Sequence, residues 1–247
     1  MKKELVLDFD MQAQPDDVTC GPTCLQALYN YYGDDIPLKE VIQEVKQLKL
    51  GGTLAVMLGN HALKRGYKAK IYTYNLNVFD PTWFKHSSKK MIQFLREQME
   101  FKRKRRKLKI ASQAYIKFLQ SGGHVMSQEL DEALIKKYLK KSIPIVTGLS
   151  ATYLYGSARE IPQFDIYDDI KGEPAGHFVV ITGFDEHKKR VHITDPNEPN
   201  PFGQGKVYSV SFPRLINAIM LGIVTYDANL LIIEPNEKKA HAKTNNS

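Results

Sequence analysis

The sequence predicts an α+β fold, with helices first and a mostly antiparallel sheet after them. Three observations carry this. Apolar residues recur at helical spacing from residue 20 to about residue 140. After Pro144 the pattern changes to short runs rich in Val, Ile and Tyr, bounded by turn residues. The chain has 247 residues, 43% of them hydrophobic, which is enough to bury a sizeable core. Helical and extended patterns that are segregated along a chain, rather than alternating, point to this class.

The elements follow in order. The first helix opens at CGPTC, with Pro22 suited to a first turn and Gly33 to the position after the end. Cys20, Cys24, Leu28 and Tyr31 or Tyr32 form its apolar stripe. The second helix reads PLKEVIQEVKQLKL, with Leu38, Val41, Ile42, Val45 and Leu48 on one face, and Gly51-Gly52 breaks it. A third spans about Thr53 to Lys64, and GYKAKIYTYNL then reads as a strand. Residues 82–120 are mostly helical in pattern. Gly122-Gly123 interrupts, and Ser127 is expected to cap a helix running through Lys140. Strands follow at 143–149, 177–184, 190–195, 205–211 and 223–235, with one helix, PRLINAIML, among them. Residues 150–176 read as a long loop, and loops of that length often carry function. Residues 237–247 are expected to be a disordered tail. One domain is expected over 1–236. Its helical half covers about 12–142, including a basic helical insertion at about 80–125, and its β half covers about 143–235.

The net charge of +8 is local. Between Lys89 and Lys109 there are ten Lys or Arg against Glu97 and Glu100, which accounts for all of it. The run FKRKRRKLK is nearly all charge, without interleaved aromatics, so it reads as a solvated helix face. An acidic protein partner for 89–109 is a second reading, and nucleic acid is disfavoured. No apolar run reaches the length of a membrane span. MKKELVLDFD is too short in its apolar part for a signal peptide. A soluble, cytoplasmic protein is expected, with no cofactor and no metal. The two cysteines stand at i and i+4, about 5–6 Å apart at Cβ on a helix, whereas a disulfide needs about 3.5–4.5 Å. No His lies near them in sequence to complete a zinc site.

The chemistry-bearing residues are few. GHFVVITGFDEHKKRVHITDPN reads as a hairpin turning at Glu186. That register opposes Ile181 to Val191, Val179 to Ile193 and His177 to Asp195, all on one face. A His beside a carboxylate is the usual base for activating a nucleophile. Cys20 sits at a helix N-terminus, where the helix dipole and a nearby imidazolium favour a thiolate. Cys24, one turn further on, reads as an inert buried thiol. Gln14 could join the Cys20 backbone N–H as an oxyanion hole.

These pieces resemble the double-glycine leader peptidases, the bacteriocin-processing branch of the papain-like cysteine peptidases. The residues that carry the resemblance are Gln14, then Cys20-Gly21-Pro22-Thr23-Cys24-Leu25, then Gly176-His177-Phe178-Val179-Val180, then Asp195-Pro196. It covers roughly residues 12–75 and 143–200. It implies a papain-like fold and a thiol-dependent peptidase or amide hydrolase, with Cys20 as nucleophile, His177 as base, Asp195 as orienter and Gln14 in the oxyanion hole. Thr19 stands where that family commonly has Asp. The leader-cleaving members are domains of membrane-spanning exporters, whereas this chain shows neither membrane segment nor ATPase. A stand-alone relative is therefore expected, acting on a peptide or peptide-like amide. The alternatives are a catalytically silent peptide-binding module of the same fold, or a transpeptidase with an amine acceptor.

FDIYDDIKGEPAG carries Asp165, Asp168 and Asp169 just before His177. Asp168, Asp169 and Gly176 are the substrate-binding candidates, the acids favouring a cationic group. The other histidines (His61, His86, His124, His187, His192 and His241) form no ligand cluster. His61 reads as packing, and Trp83 as an anchor for the basic segment.

Overall fold

The computed structural model describes residues 4–48, 51–162 and 166–236. The tail at 237–247, Asp165 and His241 lie outside these. The fold is α+β and is built on one eight-stranded sheet. Its strands are β1 (Glu4–Val6), β2 (Lys68–Thr73), β3 (His124–Met126), β4 (Ile145–Ser150), β7 (Gly176–Asp185), β8 (Arg190–Thr194), β9 (Val207–Ser211) and β10 (Asn229–Glu234). The order is β3-β2-β10-β4-β7-β8-β9, with β1 paired to the far half of β7. All pairings are antiparallel except β2–β3. A separate two-stranded ribbon joins β5 (Glu160–Ile161) and β6 (Ile166–Tyr167).

Both faces of the sheet are covered, so its central strands read as continuous apolar runs. β10 shows this most plainly. Leu231 and Ile233 enter one core, and Leu230 and Ile232 the other. The first core belongs to α1 (Cys20–Tyr31), α3 (Ala55–Lys64), α4 (Ser88–Phe101) and α5 (Arg106–Gln120), through Leu25, Leu58, Leu95 and Phe118. A short α2 (Leu38–Glu44) adds Val41. The second core belongs to α6 (Glu132–Leu139) and α8 (Phe212–Leu221), through Leu134, Ile135, Leu215 and Ile219. The two halves of the chain thus share one sheet, because β2 and β3 come from the helical half.

Several details depart from the sequence reading. The expected basic helix is broken: α4 ends at Phe101, and α5 begins at Arg106. Leu95, Leu108 and Phe118 are buried, while residues 101–107 are exposed. Trp83 stacks on Phe94 at 5.2 Å in front of this pair. The cap of α6 is Asp131 and not Ser127: its Oδ1 accepts the Leu134 N–H at 2.7 Å, and a short strand, β3, lies between Gly123 and Ser127. The loop at 150–176 contains α7 (Ala151–Tyr155), capped by Ser150 and closed by Gly156 in the left-handed region. The last strand begins only at Asn229, because Tyr226 and Ala228 hold φ of +74° and +60°. Among the described residues no helix is long and apolar enough to cross a membrane.

Candidate active site

α1 begins at Cys20 against the first residues of β7. The approach is close enough that a Cβ on Gly21 would lie 2.6 Å from Thr53 Cγ2 and 3.3 Å from the Phe178 ring. Cys24 Sγ, one turn on, donates to the Phe178 carbonyl at 3.3 Å. Thr19, at the N-cap, makes no capping hydrogen bond with its side chain. Its hydroxyl goes back to the Asp16 carbonyl at 3.1 Å. The Thr19 side chain therefore does not occupy the first amides of α1. The two thiols are free, but their settings differ. Cys20 is 8% exposed and Cys24 fully buried. Burial, then the charges of Cys20 and Asp195, hold the Cys24 thiol well above its ordinary range.

His177 is the second residue of β7. Its Nε2 lies 2.7 Å from Asp195 Oδ1, and Cys20 lies close enough to the ring to add to the rise in its pKa. With Nε2 committed to the carboxylate, Nδ1 is the nitrogen left for the thiol. Burial alone would lower the His177 pKa. The Asp195 carboxylate and Cys20 outweigh it and push the value up to about 10. Asp195 is fully buried. Burial disfavours its charge as well. The imidazolium and the hydrogen bonds it accepts still hold it below the usual carboxylate range.

The hairpin register differs from the expected one. Ile181 faces Ile193, and a bulge between Ile181 and Gly183 shifts the rest. The turn occupies residues 186–189, and Asp185 Oδ1 accepts the N–H groups of His187 and Lys188 at 2.9 Å each. On the active-site side of the bulge the offset is two residues, which preserves the face of each side chain there. Ladder pairing ends at Val180 and Thr194. His177 and Asp195 meet beyond it by side-chain reach, not as direct opposites.

Gln14 is tied to the turn after Asp195, its N–H donating to the Pro196 carbonyl at 2.8 Å. Its side chain lines a cavity of about 430 Å³ together with His177 and Gly176. The amide oxygen is buried there without a hydrogen-bond partner among the described residues. Asp168 does not line this cavity. Its Oδ1 accepts the N–H groups of Ile170 and Lys171 at 2.8 Å each, which closes its own turn. The Asp169 carbonyl accepts from Arg159. Among the described residues, the acidic ones that line the cavity are Asp17 and Glu160, and no Lys or Arg lines it.

Sequence reasoning missed three residues at the carboxylate. Tyr155 and Tyr208 donate to Asp195 Oδ2 at 2.8 and 2.6 Å, and the Asn197 N–H donates to Oδ1 at 2.9 Å. His61, read as packing, is buried, with Nδ1 2.8 Å from Tyr29 Oη and Nε2 3.3 Å from Glu44. Among the described residues no group of three or more His, Cys, Asp or Glu could hold a metal ion.

The fold is that of the papain-like cysteine peptidases. The chain belongs to the Peptidase_C39 like family, whose family model matches residues 6–214. A solved structure described as a C39-like peptidase from Bacillus anthracis aligns at 14% identity with a TM-score of 0.51, covering 94% of this chain and 98% of that one. A double glycine motif protease from an AMS/PCAT transporter, in complex with the leader peptide, aligns at 14% identity with a TM-score of 0.44, covering 94% of each chain. Xylellain, a cysteine protease from Xylella fastidiosa, aligns at 15% identity with a TM-score of 0.47, covering 96% of this chain and 87% of that one. No curated protein matches the sequence.

Proposed function

We propose that the protein is a thiol-dependent peptidase or amide hydrolase acting on a peptide or peptide-like amide. The observation that carries this reading is the imidazole of His177, held at 2.7 Å by a buried carboxylate on one nitrogen and near enough to Cys20 for that residue to help raise its pKa. In the proposed reaction the Cys20 thiol gives its proton to His177 Nδ1, and the thiolate attacks the amide carbonyl carbon. The Gln14 amide and the Cys20 backbone N–H, at an uncapped helix start, receive the developing oxyanion. The C–N bond then breaks as the imidazolium protonates the leaving nitrogen. Water, deprotonated by the imidazole, adds to the thioester, and the C–S bond breaks to return the thiol.

Gly176 would form part of the cleft floor. The preference for a cationic group, expected from Asp168 and Asp169, passes in this reading to Asp17 and Glu160, which line the cavity. The test is peptide-library profiling of the wild type against Cys20→Ala, with product identification by mass spectrometry. Cleavage by the wild type alone, enriched for Lys or Arg near the scissile bond, is expected. Equal product from both proteins would end the proposal.

A further inference from the structure

Asp195 accepts four hydrogen bonds, and a carboxylate has about four lone-pair positions to offer. Oδ1 takes His177 Nε2 and the Asn197 N–H, and Oδ2 takes both phenols. The phenols come from separate elements, α7 for Tyr155 and β9 for Tyr208. Phe202 packs on both rings, with centroids 5.8 Å from Tyr155 and 4.6 Å from Tyr208. Arg214 holds α7 in place by donating from Nε to the Leu154 carbonyl at 2.7 Å. The β8–β9 register sets Tyr208 opposite Ile193, two residues before Asp195. Packing on two sides thus fixes where both hydroxyls point.

We infer that Tyr155 and Tyr208 are positioning residues which hold Asp195 as a fixed, charged acceptor for His177. The inference rests on the reading of His177 and Asp195 given above. It has a consequence that shape alone would not have. Each phenol withdraws charge from the carboxylate, so it moderates the pull of Asp195 on the imidazolium. Removing a hydroxyl makes the carboxylate more basic, and the imidazolium then keeps its proton to higher pH. The aromatic ring needed for packing on Phe202 survives a Tyr→Phe change.

The experiment is an NMR titration of the His177 ring in a Cys20→Ala background, where no thiol contributes. Tyr208→Phe and Tyr155→Phe are compared with Tyr153→Phe, whose hydroxyl faces Asn217 on the exposed side of α7. The first two should raise the His177 midpoint by about half a pH unit or more. In enzyme that retains Cys20, each should lower kcat about tenfold, with a smaller effect on KM. Tyr153→Phe should move neither. If one Phe variant does not fold, the other carries the test. A His177 midpoint unchanged in either folded variant overturns the inference, whatever the peptidase assay shows. Absence of peptide cleavage by the wild type, alongside shifted midpoints, would instead overturn the proposed function and leave the positioning role standing.

Discussion

Asp195 and Asp227 both lie deep in this protein, and their surroundings treat them oppositely. Asp195 is fully buried and stays charged, facing an imidazole and three other donors. Asp227 is 5% exposed, and among the described residues only Thr225 Oγ1 reaches its Oδ2, at 3.3 Å. Its Oδ1 is buried with no partner among the described residues. Burial pushes its pKa up to about 7, with Lys107 pulling the other way. It presses on Gly148 of β4 so closely that a Cβ there would lie 2.8 Å from its Oδ1. The difference shows that depth alone does not decide the charge of a carboxyl. The number of donors aimed at it does.

The largest test of this contrast is catalytic. Asp195→Ala is expected to lower kcat/KM by on the order of 10²–10⁴-fold, because the imidazole loses both its tautomer partner and its orientation. Asp227→Asn should leave kcat/KM within about twofold. Comparable losses from both would dissolve the distinction.

Stability against pH sharpens it next, with the two groups contributing opposite signs. The folded-state pKa of Asp227 is raised, so its contribution is fully present below about 4 and is lost as pH rises towards 7. Asp195 is lowered, so its contribution is present above its ordinary pKa of 3.8 and is lost as pH falls. In urea titrations, Asp227→Asn should remove a decline of up to a few kcal/mol between pH 4 and 7. An effect of comparable size belongs to the imidazole. His177, raised from 6.5 to about 10, should cost stability gradually as pH rises between those values, and Asp195→Ala should flatten that slope. A variant whose slope matches the wild type would refute the corresponding assignment.

Much of this was legible in the sequence, for identifiable reasons. Alternation in GHFVVITGF and RVHIT fixes which side chains share a face, and a two-residue error in register leaves that information intact. The start of α1 was legible from Gly21-Pro22. Tyr155 was not, because five residues of helix carry no periodicity within a stretch otherwise free of it. Tyr208 stands in a strand that was read correctly. Its role follows only from the β8–β9 register, which no local signal encodes. Alternating Tyr and apolar residues opposite the strand that leads to Asp195 were the available hint. The turn around Asp227 hid inside IVTYDANLLIIEP, whose apolar character masks two left-handed residues. Residues such as Asp17 and Glu160 become cleft acids only once distant segments meet.

The central claim is that one thiol of the two is paired with His177 and the other is sealed away. It is tested most directly by limited alkylation with iodoacetamide, followed by peptide mapping and mass spectrometry. The account predicts a single modified residue, Cys20, labelled much more slowly in His177→Ala, while Cys24 stays unmodified in the folded protein. Equal labelling of Cys20 and Cys24, or labelling of Cys20 at the same rate with and without His177, would contradict it.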